Sequence, residues 1–200
     1  DGVEQLIQKH RNQALQLVES LATYVPQSVI ARVAQDATPP VKPSHEILPA
    51  AVLFIDVSGF TALNEMLAKI GAHGPEHTSK HLNAYFGKLM DTVFLYGGDV
   101  IKFAGDALIC LFHRGITSME NNPRSAMSRE EILTRTSRLA IACALEIQRK
   151  IPEYDSQEGF KLTSHIGVGC GDLYSLHVGG VDSNWEYLVA GDPLIQLKSA

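Results

Sequence analysis

The chain has 200 residues, 45% of them hydrophobic and 20% charged, with a net charge of −5, which is the size and make-up of one globular domain with some extra chain. The acidic balance leaves no basic footprint for a nucleic-acid binder, no apolar run nears the roughly 20 residues of a membrane span, and the opening DGVEQLIQKHRNQ lacks a signal-peptide core. The three cysteines, Cys110, Cys143 and Cys170, have neither the number nor the spacing of a disulfide framework or zinc site and read as reduced core residues of a cytosolic protein.

In chain order, Leu6, Ala14, Leu17, Val18 and Leu21 recur at helical spacing over residues 4–22, which predicts an amphipathic helix that packs on another surface. Pro26 suits the start of a second short helix in YVPQSVIARV. The Pro-rich DATPPVKPSHEILP reads as a connector. Residues 1–49 are thus expected to form a helical segment with its linker, and residues 50–200 the domain proper. There the pattern predicts a strand at 51–56, helices at about 60–71 and 76–95, and a strand pair at 99–103 and 107–112. A long helix at about 128–150 follows, then strands near 161–169, 172–179 and 186–190. RGITSMENNPRSAMS reads as a surface loop and EYDSQEG as a turn region. The order is that of an α+β domain with a ferredoxin-like core, in which helices cover one face of a largely antiparallel sheet.

Two acids stand where strands end. AVLFIDVSGFTAL runs through apolar β-formers to Asp56 and then a Ser-Gly turn, and GGDVIKFAGDALICLF turns at Ala104-Gly105 into Asp106. A ferredoxin-like sheet sets the two strands that carry them side by side at its centre. One acid in such a place is ordinarily an N-cap or a turn residue. Two that share one place repel, unless divalent cations sit between them, and hard oxygen ligands favour Mg²⁺ or Mn²⁺. The free N–H groups of a turn entering a helix attract phosphate oxygens. Cations beside a phosphate cradle are the ingredients of phosphoryl transfer.

FIDVSGFTAL and IKFAGDALICLF resemble the catalytic domain of class III nucleotidyl cyclases, most closely the first catalytic half of the soluble, bicarbonate-responsive adenylyl cyclases. The resemblance runs from residue 51 to about residue 198. It implies an enzyme that converts ATP to cyclic AMP and pyrophosphate. Asp56 and Asp106 would be the catalytic ligands of two Mg²⁺ or Mn²⁺ ions, with the Val57 carbonyl as a further ligand. The backbone of Val57, Ser58, Gly59, Phe60 and Thr61 would hold the triphosphate. One ion would activate the ribose 3′-hydroxyl for in-line attack on the α-phosphorus while the other holds the phosphates.

Lys102 stands where adenylyl-type domains carry Lys and guanylyl-type domains Glu, since Lys donates to the acceptors of adenine and Glu accepts from guanine. In a first half, the resemblance places that Lys with Val189 and Lys198 in a regulatory or purine pocket that takes bicarbonate. Lys198 occupies a position usually held by Arg. A larger departure lies close by: Gly191 is in register, but Ile195 replaces the Asn that orients the ribose and Ser199 the Arg that offsets phosphate charge. The implied partner is a second cyclase half, in cis or trans, that supplies both. The alternative is a non-catalytic cyclase-homology module acting as nucleotide sensor or scaffold. The expected location is cytoplasmic, with any membrane or cilium association coming through partners.

Overall fold

The computed structural model describes residues 2–22, 25–59, 65, 74–114, 127–152, 154–155, 161–182 and 184–199. The chain divides into two compact units, Asp1–Pro39 and Pro40–Ala200. In the first, α1 spans Gly2–Ala22 and α2 spans Gln27–Gln35, with Pro26 at the N-cap of α2. Leu6, Ile7, Leu17, Val18 and Leu21 of α1 are each more than half exposed. The stripe expected to pack is therefore uncovered among the described residues.

The second unit is built on β1 (Ser44–Ser58), α3 (Gly74–Leu95), β2 (Asp99–Ala104), β3 (Ala107–His113), α4 (Arg129–Lys150), β4 (Tyr154–Asp155), β5 (Lys161–Val181) and β6 (Asn184–Gly191). A short helix α5 (Asp192–Gln196) and a 3-10 turn (Leu197–Ser199) follow. The sheet runs β2-β3-β1-β5-β4, with β6 also on β5, and every pairing is antiparallel. This is the α+β arrangement expected. No helix among the described residues is long and apolar enough to cross a membrane.

Strand alternation sorts the side chains onto two faces. Ala51, Leu53, Ile55 and Val57 of β1, with Leu108, Cys110 and Phe112 of β3, meet Tyr85, Leu89 and Val93 of α3 and Ala140, Cys143 and Ile147 of α4. The helical residues recur at three- and four-residue spacing, one stripe per helix. Ser128 starts α4 as a capping box with Glu131, each side chain satisfying the other residue's backbone N–H. The opposite face has a smaller core of Ala50, Val52, Leu111 and Leu173, against which Ile101, Ile109, Val189, Leu194 and Leu197 pack. Burial holds the Cys110 thiol far above its ordinary range and that of Cys143 at about 12, so both are protonated core groups.

Several elements differ from expectation for identifiable reasons. β1 begins at Ser44 rather than 51 and takes in Pro49. Its pairing with β3 starts at Ala50 while its pairing with β5 covers Ser44 onward, so Pro49 lies where one edge is open and a missing donor costs no ladder bond. The two strands expected at 161–169 and 172–179 are one: Gly171 takes φ +151°, open to glycine, and keeps its place opposite Ala50 in the ladder with β1. Tyr154–Asp155 pairs with Lys161–Leu162 where only a turn was expected. α5 was not expected at all: five residues are too few to show a helical period. Cys170 is exposed rather than buried. α4 starts near that level of β5, where Arg129 bonds Asp172, and its cover ends there. The helix expected at 60–71 falls outside the described residues except for residue 65, which is helical.

Candidate active site

With Val57 buried on the helical side, Asp56 and Ser58 emerge on the opposite face of β1, both half-buried. Asp56 is directly opposite Ala107 of β3. The hairpin closes through the pair Ala104 and Ala107, so Gly105 and Asp106 form a two-residue turn. Gly105 has φ +68° and Asp106 no positive φ, the pattern of a type II′ hairpin turn with glycine at its first central position. That turn brings Asp106 beside β1, where its carbonyl accepts a hydrogen bond from the Val57 N–H at 3.3 Å. Asp56 and Asp106 therefore share one end of two neighbouring strands, whose usual spacing is about 4.8 Å. Asp106 is exposed at the hairpin tip.

After Ser58 the chain turns at Gly59, φ +98°, which presses against the backbone carbonyl of Lys161 so closely that a β-carbon would collide with it. Only glycine fits both the angle and the space. Phe60 and Thr61, expected to continue the phosphate-binding turn, lie outside the described residues. The donors assembled at this end are two carboxylates and backbone carbonyls, a hard-oxygen set that suits Mg²⁺ or Mn²⁺. Among the described residues no group of three or more His, Cys, Asp or Glu side chains is placed to hold a metal ion, so a cation here would rest on the two carboxylates and backbone carbonyls. The residues present thus fit the cations implied by the sequence.

Sequence reasoning missed His165. It stands opposite Asp56 on β5, and its Nδ1 is hydrogen-bonded to Ser58 Oγ at 3.2 Å. Only the β1–β5 register shows this; a lone His in SHIGVGCG carries no periodic signal. The side chain of Ser58 is thereby tied across the sheet, and its backbone stands opposite Thr163 of β5. Lys102 is exposed on β2 and paired with Ile109, which places it on the same face as Asp56. Ile109, Val189 and Leu197 all pack against the second core, and Lys198 follows Leu197 in the 3-10 turn. Lys102 and Lys198 are both exposed. Ile195 is 62% exposed on α5.

Residues 43–193 match the family model of the adenylate and guanylate cyclase catalytic domain. The chain is a class III nucleotidyl cyclase domain. Adenylate cyclase type 10 from Oryctolagus cuniculus is 31% identical to this cyclase domain over 163 residues, which is 80% of the chain. The human protein of that name is 29% identical over the same length. The chain spans only 9% of either relative. Among solved structures, a bacterial light-regulated adenylyl cyclase superposes with a TM-score of 0.66 at 19% identity, covering 96% of this chain and 49% of that one. The guanylyl cyclase Cya2 superposes at 0.52 with 26% identity, covering 76% and 69%. Cyclases of both nucleotide types share this fold, so the fold alone does not choose the base.

Proposed function

We propose that this cyclase domain is the metal-bearing half of an adenylyl cyclase, converting ATP to cyclic AMP and pyrophosphate, with the unit Pro40–Ala200, which holds β1 from Ser44, as the catalytic part and the helices before it as its lead. The observation that carries this reading is the Val57–Asp106 backbone bond, which sets both acids beside the Ser58-Gly59 turn. Two Mg²⁺ or Mn²⁺ ions, when bound, supply activation of the 3′-hydroxyl and offset phosphate charge. The Asp56 and Asp106 carboxylates and the Val57 carbonyl would hold them. Backbone N–H groups of Gly59, Phe60 and Thr61 orient the triphosphate, so that attacking and leaving oxygens lie in line, while the Val57 N–H stays on the Asp106 carbonyl. Lys102, Val189 and Lys198 form the regulatory or purine pocket, whose two cations suit a small anion such as bicarbonate. Ile195 and Ser199 supply neither amide nor guanidinium. Those groups come from a second cyclase half.

The adenine preference rests on Lys102 and on the adenylate cyclase relatives. The test is product analysis of the protein paired with a complementary half, given ATP or GTP with Mn²⁺. Cyclic AMP and pyrophosphate in equal amounts from ATP, with little cyclic GMP from GTP, is the expected result. Preferred turnover of GTP would overturn the assignment of the base. The exposed Ile195 also favours a second reading, a nucleotide-binding module without turnover. Stoichiometric ATP binding with no product in every pairing would select it.

A further inference from the structure

Helix α5 is too short to hold itself, yet its placement decides where Lys198 stands. Three contacts seat it. Pro193 is buried at its start, and its carbonyl lies against Gly169 of β5, where a β-carbon would collide with it. Leu194 and Leu197, three residues apart, enter the second core beside Val189 and Ile109. The third contact is a side chain that imitates a strand: Gln196 Nε2 donates to the Cys170 carbonyl at 2.8 Å, and Gln196 Oε1 accepts from the Cys170 N–H at 3.0 Å.

The place of that clamp on β5 gives it meaning. β1 flanks β5 continuously from Thr163 to His177, but on the other side β4 pairs only with Lys161 and Leu162, and β6 joins at Leu173. Cys170 lies in the interval, with its N–H and carbonyl directed away from β1. The Gln196 carboxamide satisfies both. One hydrogen bond would leave a pivot, whereas two from a planar group to one residue fix rotation as well as distance. The segment two residues beyond Gln196 inherits that orientation.

We propose that Gln196 is a positioning residue: by docking its carboxamide on the Cys170 backbone, it holds the 3-10 turn so that Lys198 stands at the pocket shared with Lys102 and Val189. This rests on the reading of that pocket as an anion site. The three seats divide the work. Pro193 and the two leucines set depth against the sheet, and Gln196 sets the heading of the chain that follows.

The test uses the 200-residue chain and its Gln196→Met variant, which keeps length and volume but loses both hydrogen bonds. Residue-resolved amide exchange is read at Cys170, Leu197 and Lys198, with sodium bicarbonate titrated at fixed pH and ionic strength and followed at the same amides. The expected result is at least tenfold faster exchange at those three amides, with β1 unchanged, and an apparent bicarbonate dissociation constant raised at least fivefold. Gln196→Glu, which can accept from the Cys170 N–H but repels its carbonyl, should behave like Gln196→Met. Unchanged exchange, faster exchange spread evenly over β1 and β5, or local loosening with unaltered bicarbonate binding would each overturn the proposal. If wild type shows no bicarbonate shift at all, the anion-site reading falls, while the exchange pattern still decides the clamp.

Discussion

At the residue scale, the proposed reading gives the chemistry to the two acids and the geometry to their surroundings. Asp56→Ala or Asp106→Ala removes a ligand from the proposed cation site. The expected loss is several kcal/mol of transition-state stabilisation, more than a hundredfold in rate, with an unchanged circular dichroism spectrum. Either variant retaining above about a tenth of wild-type turnover in Mn²⁺, measured with the complementary half present, would remove that residue from the site. His113, at the end of β3, makes a different prediction. Burial holds its imidazole below the ordinary histidine value, although Asp99 pulls the other way. The unfolded chain therefore takes up the proton first, so stability is full above about pH 6.5 and declines as the pH falls below it. The decline is at most about 1.4 kcal/mol per pH unit, a few degrees in Tm. Thermal unfolding of wild type and His113→Gln between pH 7.5 and 5 checks this. Equal slopes would show that His113 is not the group responsible.

At the scale of elements, the seat of α5 is tight enough to test by one methyl group. Gly169→Ala sets a β-carbon against the Pro193 carbonyl, and α5 must lift or β5 must bend. Overpacking of this kind costs about 1–3 kcal/mol, readable as a lower urea midpoint with an unchanged slope. A shift under about 0.5 kcal/mol would mean that α5 moves freely. The same element marks the limit of what the sequence shows. Long periodic stretches such as 76–95 and 128–150 announce α3 and α4, and apolar runs announce β1, β2 and β3, because each satisfies a local rule of spacing. α5 satisfies none: it forms because two glycines of β5 leave room and Gln196 finds Cys170, 26 residues earlier in the chain. Asp56 and Asp106 were legible as a pair because each follows or precedes an apolar β-forming run with turn residues beside it. His165 was not, since only register joins it to Asp56 and Ser58.

At the scale of the sheet, α3 and α4 pack on one face, while the other presents Asp56, Lys102 and a small apolar core with α5 against it among the described residues. In the proposed reading this face would supply metal ligands and a phosphate turn, and Ile195 and Ser199 would contribute no amide or guanidinium to it. Two copies of this chain meeting face to face would duplicate the acids without adding the absent groups. Charge developing on the transferring phosphate would then lack its main protein counter-charge. Loss of one such donor costs on the order of 10²-fold or more in rate, and loss of an arginine at this role on the order of 10³-fold or more. The purified 200-residue chain should therefore form almost no cyclic AMP from Mn²⁺-ATP, even at concentrations where it self-associates. Mixing it with, or fusing it to, a second cyclase half that carries the Asn and Arg should restore turnover by at least a hundredfold, and the restored activity should vanish with Asp56→Ala in this chain. Robust turnover by the chain alone would show that other residues replace the missing pair. Failure of every complementary half, with ATP binding intact, would instead favour the nucleotide-binding module.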